Sequence, residues 1–165
     1  MTHIIGGSPD PIFTNAIVYR VIASEALARC LAWDSEHVRS NASGGRVIDL
    51  DLTQSSFKDS LVAIVFAGMF MEAALWIACY GRLGPKKCQQ VDDSNLEDRP
   101  KPLGIHDTQL REDLKHYREA RKELVHEKAV PASQGTLPHR TGQEEAKRAV
   151  DLMLRLEQAL KQLPP

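Results

Sequence analysis

Arg121 and His126 are residue types that could serve cleavage of RNA without a metal ion. In that chemistry a ribose 2′-hydroxyl attacks its own phosphodiester. A base of near-neutral pKa takes the hydroxyl proton, and a cation stabilises the charge that grows on the phosphoryl oxygens. Histidine is the side chain whose unperturbed pKa suits the first task, and arginine suits the second. Both lie in the stretch Tyr117-Arg-Glu-Ala-Arg-Lys-Glu-Leu-Val-His-Glu-Lys128.

The spacing constrains how they can act. With Leu110 at 0° and about 100° per residue, Leu114, Tyr117 and Leu124 fall within about 40° of one line, and Val125 at about 60°. Arg121 lands at about 20°, inside that apolar stripe. An unpaired guanidinium on a core face costs several kcal/mol, roughly, so Arg121 needs a partner, a cleft or a second subunit. Five helical residues put His126 about 140° away from it. The two converge only if the helix ends or distorts near Val125, or if two copies pool their residues across a dimer axis. The competing reading is structural. Arg121 then pairs with Glu72, and His126 sits in a last helical turn, where a cation meets the helix dipole favourably.

Other constellations carry less. Glu123-x-x-His126 and Asp113-x-x-His116 have the spacing of carboxylate-bridged di-iron ligands, but such sites draw their pairs from different helices. Here both pairs are on one helix. His116, Glu119, Glu123 and His126 fall opposite the apolar stripe and are expected to form a solvated polar face. No metal ligand set and no cofactor is therefore expected. Cys30, Cys79 and Cys88 lack C-x-x-C spacing and read as packed or free thiols. The chain contains no phosphate-binding loop, dinucleotide glycine motif or Gly-x-Ser-x-Gly elbow. Ser43, Ser55 and Ser56 read as turn and cap residues.

The elements that must position Arg121 and His126 are helical. Ala16, Tyr19, Ala23, Leu27, Cys30 and Trp33 recur at spacings of three and four, with a second apolar edge through Val21, Ala28 and Ala32. This predicts a helix from Pro11 to about Ser40 that touches neighbours on two sides. Asn41 to Gly45 is a break, and Arg46 to Thr53 alternates weakly, as a short strand would, but reads as an extended connector since no partner strand is evident. Ser56 and Asp59 look like the start of a long helix. Leu61 to Tyr80 then runs for 20 residues with a single charge, Glu72. That length could span a membrane. A charge near its middle and apolar stripes elsewhere that need a surface favour a buried central helix instead. Gly81 to Pro85 stops it. Residues 85 to 107 read as a mobile, mixed-charge loop. Asp107 or Thr108 caps a helix to about Ala129. Thr141-Gly-Gln-Glu144 is a capping box, followed by an apolar stripe through Ala146, Ala149, Met153, Leu156, Leu160 and Leu163.

The expected fold is all-α: a four-helix, or up to five-helix, bundle around a long apolar central helix, as one domain over residues 1–165 with its core at about 12–163. With 42% hydrophobic and 26% charged residues the chain is globular in composition, and 5% aromatic residues favour helix over sheet. A formal net charge of −1 argues against a protein that coats nucleic acid, while leaving room for a local basic cleft. The N-terminus lacks the basic and apolar regions of a signal peptide, so a cytoplasmic, non-membrane protein is expected.

The stretch Arg121-Lys-Glu-Leu-Val-His-Glu127 resembles the R-x-x-x-x-H signature of HEPN domains (higher eukaryotes and prokaryotes nucleotide-binding), with Lys122 in the place of the polar residue that often follows the arginine. Phe66-Ala-Gly-Met-Phe-Met-Glu-Ala-Ala74 is similar to an earlier long helix of some of its groups. The resemblance covers about fifteen residues in pattern and the helix order in outline. It implies an all-α domain that dimerises, with Arg121 and His126 as the catalytic pair in a cleft where two copies meet; Lys122 is then a supporting residue, and Glu72 is expected to orient or neutralise Arg121. It also implies a metal-independent endoribonuclease of toxin or defence type, with RNA as substrate and an antitoxin protein as a candidate partner. Some toxin members carry a tyrosine two residues after the histidine, which an antitoxin modifies; here that residue is Lys128. Other members are non-catalytic modules that bind a protein or a nucleotide.

Overall fold

The computed structural model describes residues 14–40, 42, 46–48, 53–125 and 142–164. The fold is an all-α bundle. Helices α1 (Ala16–His37), α2 (Ser55–Leu83), α4 (Thr108–Val125) and α5 (Gly142–Lys161) are long, and α3 (Pro85–Asp92) is short. Helix α2 is the centre, with α1, α3, α4 and α5 all packed on it. This arrangement explains why α2 is apolar without a single hydrophobic face: Ala63, Ile64, Ala67, Phe70, Met71, Leu75 and Cys79 are buried, and the residues between them are half-buried against other neighbours. By length and composition α2 would also be able to cross a membrane.

Helix α1 buries Ala16, Ala23, Ala26, Leu27 and Cys30, all small except Leu27. The expected second edge is not covered among the described residues: Val21, Ala28 and Ala32 are exposed. The helix ends at His37, whose ring stacks on Trp33 and whose Nδ1 lies 2.9 Å from the Trp33 carbonyl. The residues that follow, Val38–Ser40 (β1), pair antiparallel with Arg46–Ile48 (β2), with Arg39 opposite Val47. The connector read as lacking a partner strand thus has one, supplied by the chain immediately after α1. Ser56 does not cap α2. It is buried inside the first turn, with its Oγ 3.5 Å from Cys30 Sγ and accepting from Gln143 Nε2 at 3.1 Å. Gln54, in the left-handed conformation, precedes the helix instead. The other end follows the sequence signal. Gly84, at φ 77°, donates its N–H to the Tyr80 carbonyl, and Pro85 opens α3, where no N–H is needed.

Residues 85–107 are not the unstructured loop their composition suggests. They form α3 and two 3-10 turns, Leu96–Asp98 and Lys101–Leu103. Cys88, Leu96 and Leu103 are buried. Three acidic residues of this segment, Asp92, Glu97 and Asp98, are paired with arginines. Arg99 donates to the Asp92 carboxylate and carbonyl and to the Ser94 carbonyl. Arg111 donates to Asp98, and Arg118 grips the buried Glu97 carboxylate at 2.9 and 3.0 Å. Asp107 caps α4 by accepting from the Leu110 N–H at 3.0 Å, as expected. The proposed cap at Thr141 lies outside the described residues, whereas the α5 stripe is buried from Ala146 to Leu156.

Burial alone pushes the Glu97 carboxyl up, but the hydrogen bonds and charge of Arg118, helped by Arg111, outweigh it and hold the group below the usual carboxylate range. A carboxyl whose folded pKa is depressed adds stability that is complete above its unfolded pKa, about 4.3 for glutamate, and is lost as pH falls through the lower folded value. Glu97→Gln is therefore expected to lower stability by about 1 kcal/mol at pH 7, a small figure because Arg118 stays 40% exposed. The difference should shrink as pH falls below about 4.3. Urea midpoints of the two proteins from pH 7 to 3 test this; a constant offset across that range would refute the assignment.

Candidate functional site

Helix α4 lies against α2 in the register that its apolar stripe dictates. Leu110, Leu114, Tyr117 and Ala120 are buried. The Tyr117 hydroxyl donates to the Ile64 carbonyl of α2 at 2.8 Å. Burial, with a smaller contribution from Glu72, pushes this phenol well above its usual range despite the opposing charge of Arg121. It stays protonated and acts as a hydrogen-bond donor. The approach depends on Gly68. A Cβ there would stand 2.0 Å from the Tyr117 hydroxyl and 3.3 Å from Arg121 Nη1.

One turn further on, Arg121 Nη1 donates to Glu72 Oε1 at 2.9 Å. Arg121 and its expected partner are thus together, but not sealed: their side chains are 31% and 44% exposed. Lys122 beside them is exposed, and Leu124 is half-buried. His126 lies outside the described residues, which end on α4 at Val125.

Of the residues read as a solvated face, Glu119 and Glu123 are exposed and His126 lies outside the described residues, whereas His116 docks on α5 together with Asp113. His116 Nε2 lies 3.0 Å from Glu145 Oε2, and that glutamate is buried. Arg148 Nη1 donates to Glu145 Oε1 at 3.0 Å and stands 3.4 Å from His116 Nε2. Asp113 accepts from Arg155 at 2.6 Å and from Gln109 at 2.9 Å. These groups line a cleft of about 280 Å³ between α4 and α5, floored by Ile64, Ala120, Ala149 and Leu152. Sequence reasoning missed it because every partner of His116 and Asp113 on α5 lies about 30 to 40 residues away. A signal was present: Glu145, Arg148, Leu152 and Arg155 recur at three and four, as a second, charged stripe beside the apolar one.

Chemically, the cleft holds an imidazole oriented by a buried carboxylate, with guanidinium groups beside it. Among the described residues no group of three or more His, Cys, Asp and Glu side chains could hold a metal ion. Cys30, Cys79 and Cys88 are free and buried, and burial first of all pushes the Cys88 thiol up to about 12, so it is no thiolate nucleophile. No family model matches the chain, and no curated protein or solved structure does.

Two stability measurements test the Arg121 side of this arrangement. Replacing a helical glycine by alanine ordinarily stabilises by roughly 0.5–1 kcal/mol. Gly68→Ala should instead destabilise by about 1–3 kcal/mol, because Tyr117 must leave its hydrogen bond. Unfolding by urea reads the sign directly. Glu72→Gln should cost only about 1 kcal/mol, since both partners keep contact with water. A loss of several kcal/mol would mean that the pair is sealed in solution.

Proposed function

We propose that this chain is a metal-independent endoribonuclease of the toxin or defence type, HEPN-like in its motif, that acts in the cytoplasm as a homodimer. The supporting observation is the Arg121–Glu72 bond. It holds a guanidinium at the α2–α4 junction with one side open, five residues before His126. In this reading His126 removes the 2′-hydroxyl proton and returns a proton to the leaving 5′-oxygen. Arg121 stabilises charge on the phosphoryl oxygens, Glu72 orients it, and Lys122 adds a solvent-facing cation. The products are a 2′,3′-cyclic phosphate and a 5′-hydroxyl end. A second copy supplies the facing His126, which relieves the angular separation of the two residues on one helix. An antitoxin protein would bind over this face.

A second reading is favoured by the same bond. A guanidinium already engaged with a carboxylate is also what a non-catalytic module requires, in which Arg121 only ties α4 to α2 and the bundle binds a protein or nucleotide partner.

The deciding experiment is cleavage of several RNAs by the purified protein in chelator, with His126→Ala and Arg121→Ala alongside. Each variant is checked for folding by circular dichroism and for dimerisation by sedimentation. The expected outcome is cleavage by the unaltered protein that falls by roughly 10²-fold or more in each folded variant. Equal cleavage by all three proteins, or none by the first, supports the binding module.

A further inference from the structure

The α4–α5 cleft lies on the other side of α4 from Arg121 and has no part in the ribonuclease proposal. Its polarity says what would fit. Three carboxylates, Asp113, Glu145 and Asp151, face two guanidinium groups, so a bare anion gains little there. A suitable ligand must offer donors and acceptors side by side on a body that tolerates an apolar floor. The volume of about 280 Å³ lies at the small end for ligand sites, enough for one nucleoside-sized molecule.

The α5 wall is where the pattern is sharpest. Arg148, Asp151 and Arg155 are spaced by three and four, so their side chains neighbour one another on one helix face. Arg148 and Arg155 make their hydrogen bonds through Nη1 alone, to Glu145 and to Asp113. Their Nε and Nη2 groups donate to nothing among the described residues. Asp151, between them, has no ion pair or hydrogen bond among the described residues, although it lines the cleft. The wall therefore presents donor, acceptor and donor in sequence.

We propose that this cleft binds a guanine base. Guanine carries N7 and O6 acceptors that match a guanidinium, beside N1–H and N2–H donors that match a carboxylate. Asp151 takes the two donors, Arg148 or Arg155 takes O6 and N7, and the ring plane lies on the methyl groups of Ala120 and Ala149. Adenine has no donor at N1 and presents an amino group where guanine presents O6, so it sets acceptor against acceptor at Asp151. The buried Glu145, held by His116 and Arg148, keeps the α4 and α5 walls in place without reaching the base.

Calorimetric titration of the full chain with guanosine, GMP, adenosine and inorganic phosphate tests the proposal whether or not the protein cleaves RNA. Guanosine and GMP should bind alike, and adenosine at least tenfold more weakly. Asp151→Asn should weaken guanosine at least tenfold with an unchanged thermal unfolding curve, because the side chain is exposed. Ala149→Ser keeps the floor open and should retain binding; should Ala149→Leu also fold, it should abolish binding by filling the cleft. No guanosine binding at millimolar concentration, equal binding of adenosine, indifference to Asp151→Asn, or phosphate binding as tight as GMP would each overturn it.

Discussion

A single hydroxyl, bonded to a backbone carbonyl in the middle of a helix, sets the relation of α4 to the rest of the bundle. Tyr117 reaches the Ile64 carbonyl only because residue 68 has no side chain. That bond fixes the rotation of α4 about its own axis. With Tyr117 turned inward, Arg121 is carried to the edge of α2, within reach of Glu72, and Asp113 and His116 are turned toward α5. A rotation of α4 by one residue, about 100°, would break both sets of contacts at once. The two faces of α4 are therefore not independent, although their side chains do not meet.

Two of the polar contacts around α4 share one design. In the Arg118–Glu97 and His116–Glu145 contacts the acid is enclosed, with 6% of its side chain exposed, and its partner is about 40% exposed. A glutamate held close to the backbone is buried by its own helix or turn, while a long cationic side chain lies across it and keeps its far side in water. The desolvation penalty then falls on one ion of the pair, and close hydrogen bonds offset it. These contacts join segments far apart in the chain, which is how a segment as polar as 85–107 acquires a defined course.

The fold was legible in the sequence where the information was periodic. The stripes on α4 and α5, the unbroken apolar run of α2 and the Gly84-Pro85 stop all describe one helix at a time, and each occurs where its spacing placed it. The Arg121–Glu72 contact was legible for a different reason: a cation inside an apolar stripe needs an acid, and α2 holds only one in its apolar run. What could not be read depended on pairs of segments. Lone charges in 85–107 look solvated until Arg111 and Arg118 of α4 are set beside them. His116 looks exposed until Glu145 is buried next to it. The polar face of a helix carries no mark to distinguish water from a second polar helix, and a short strand such as β2 cannot be recognised without knowing that α1 ends at His37 and leaves Val38–Ser40 to pair with it.

Arg121–Glu72 has the reverse order, as Arg99–Asp92 and Arg111–Glu112 also do, and at the α2–α4 junction that order bears on function. Here the guanidinium is the more enclosed partner, at 31% exposure, and the carboxylate the more open, at 44%. The same order holds in Arg99–Asp92, at 17% and 41%, where the arginine ties a turn of the chain together. An arginine that is to meet a phosphate gains from it. Its hydration is already reduced in the folded state, so its attraction for a developing negative charge is weakened less by solvent. Glu72, half in water, can release the guanidinium at low cost when another anion takes its place, whereas an enclosed acid could not. The same geometry that keeps Arg121 paired in the free protein is thus compatible with handing it to a phosphodiester, which is the step the proposed ribonuclease requires.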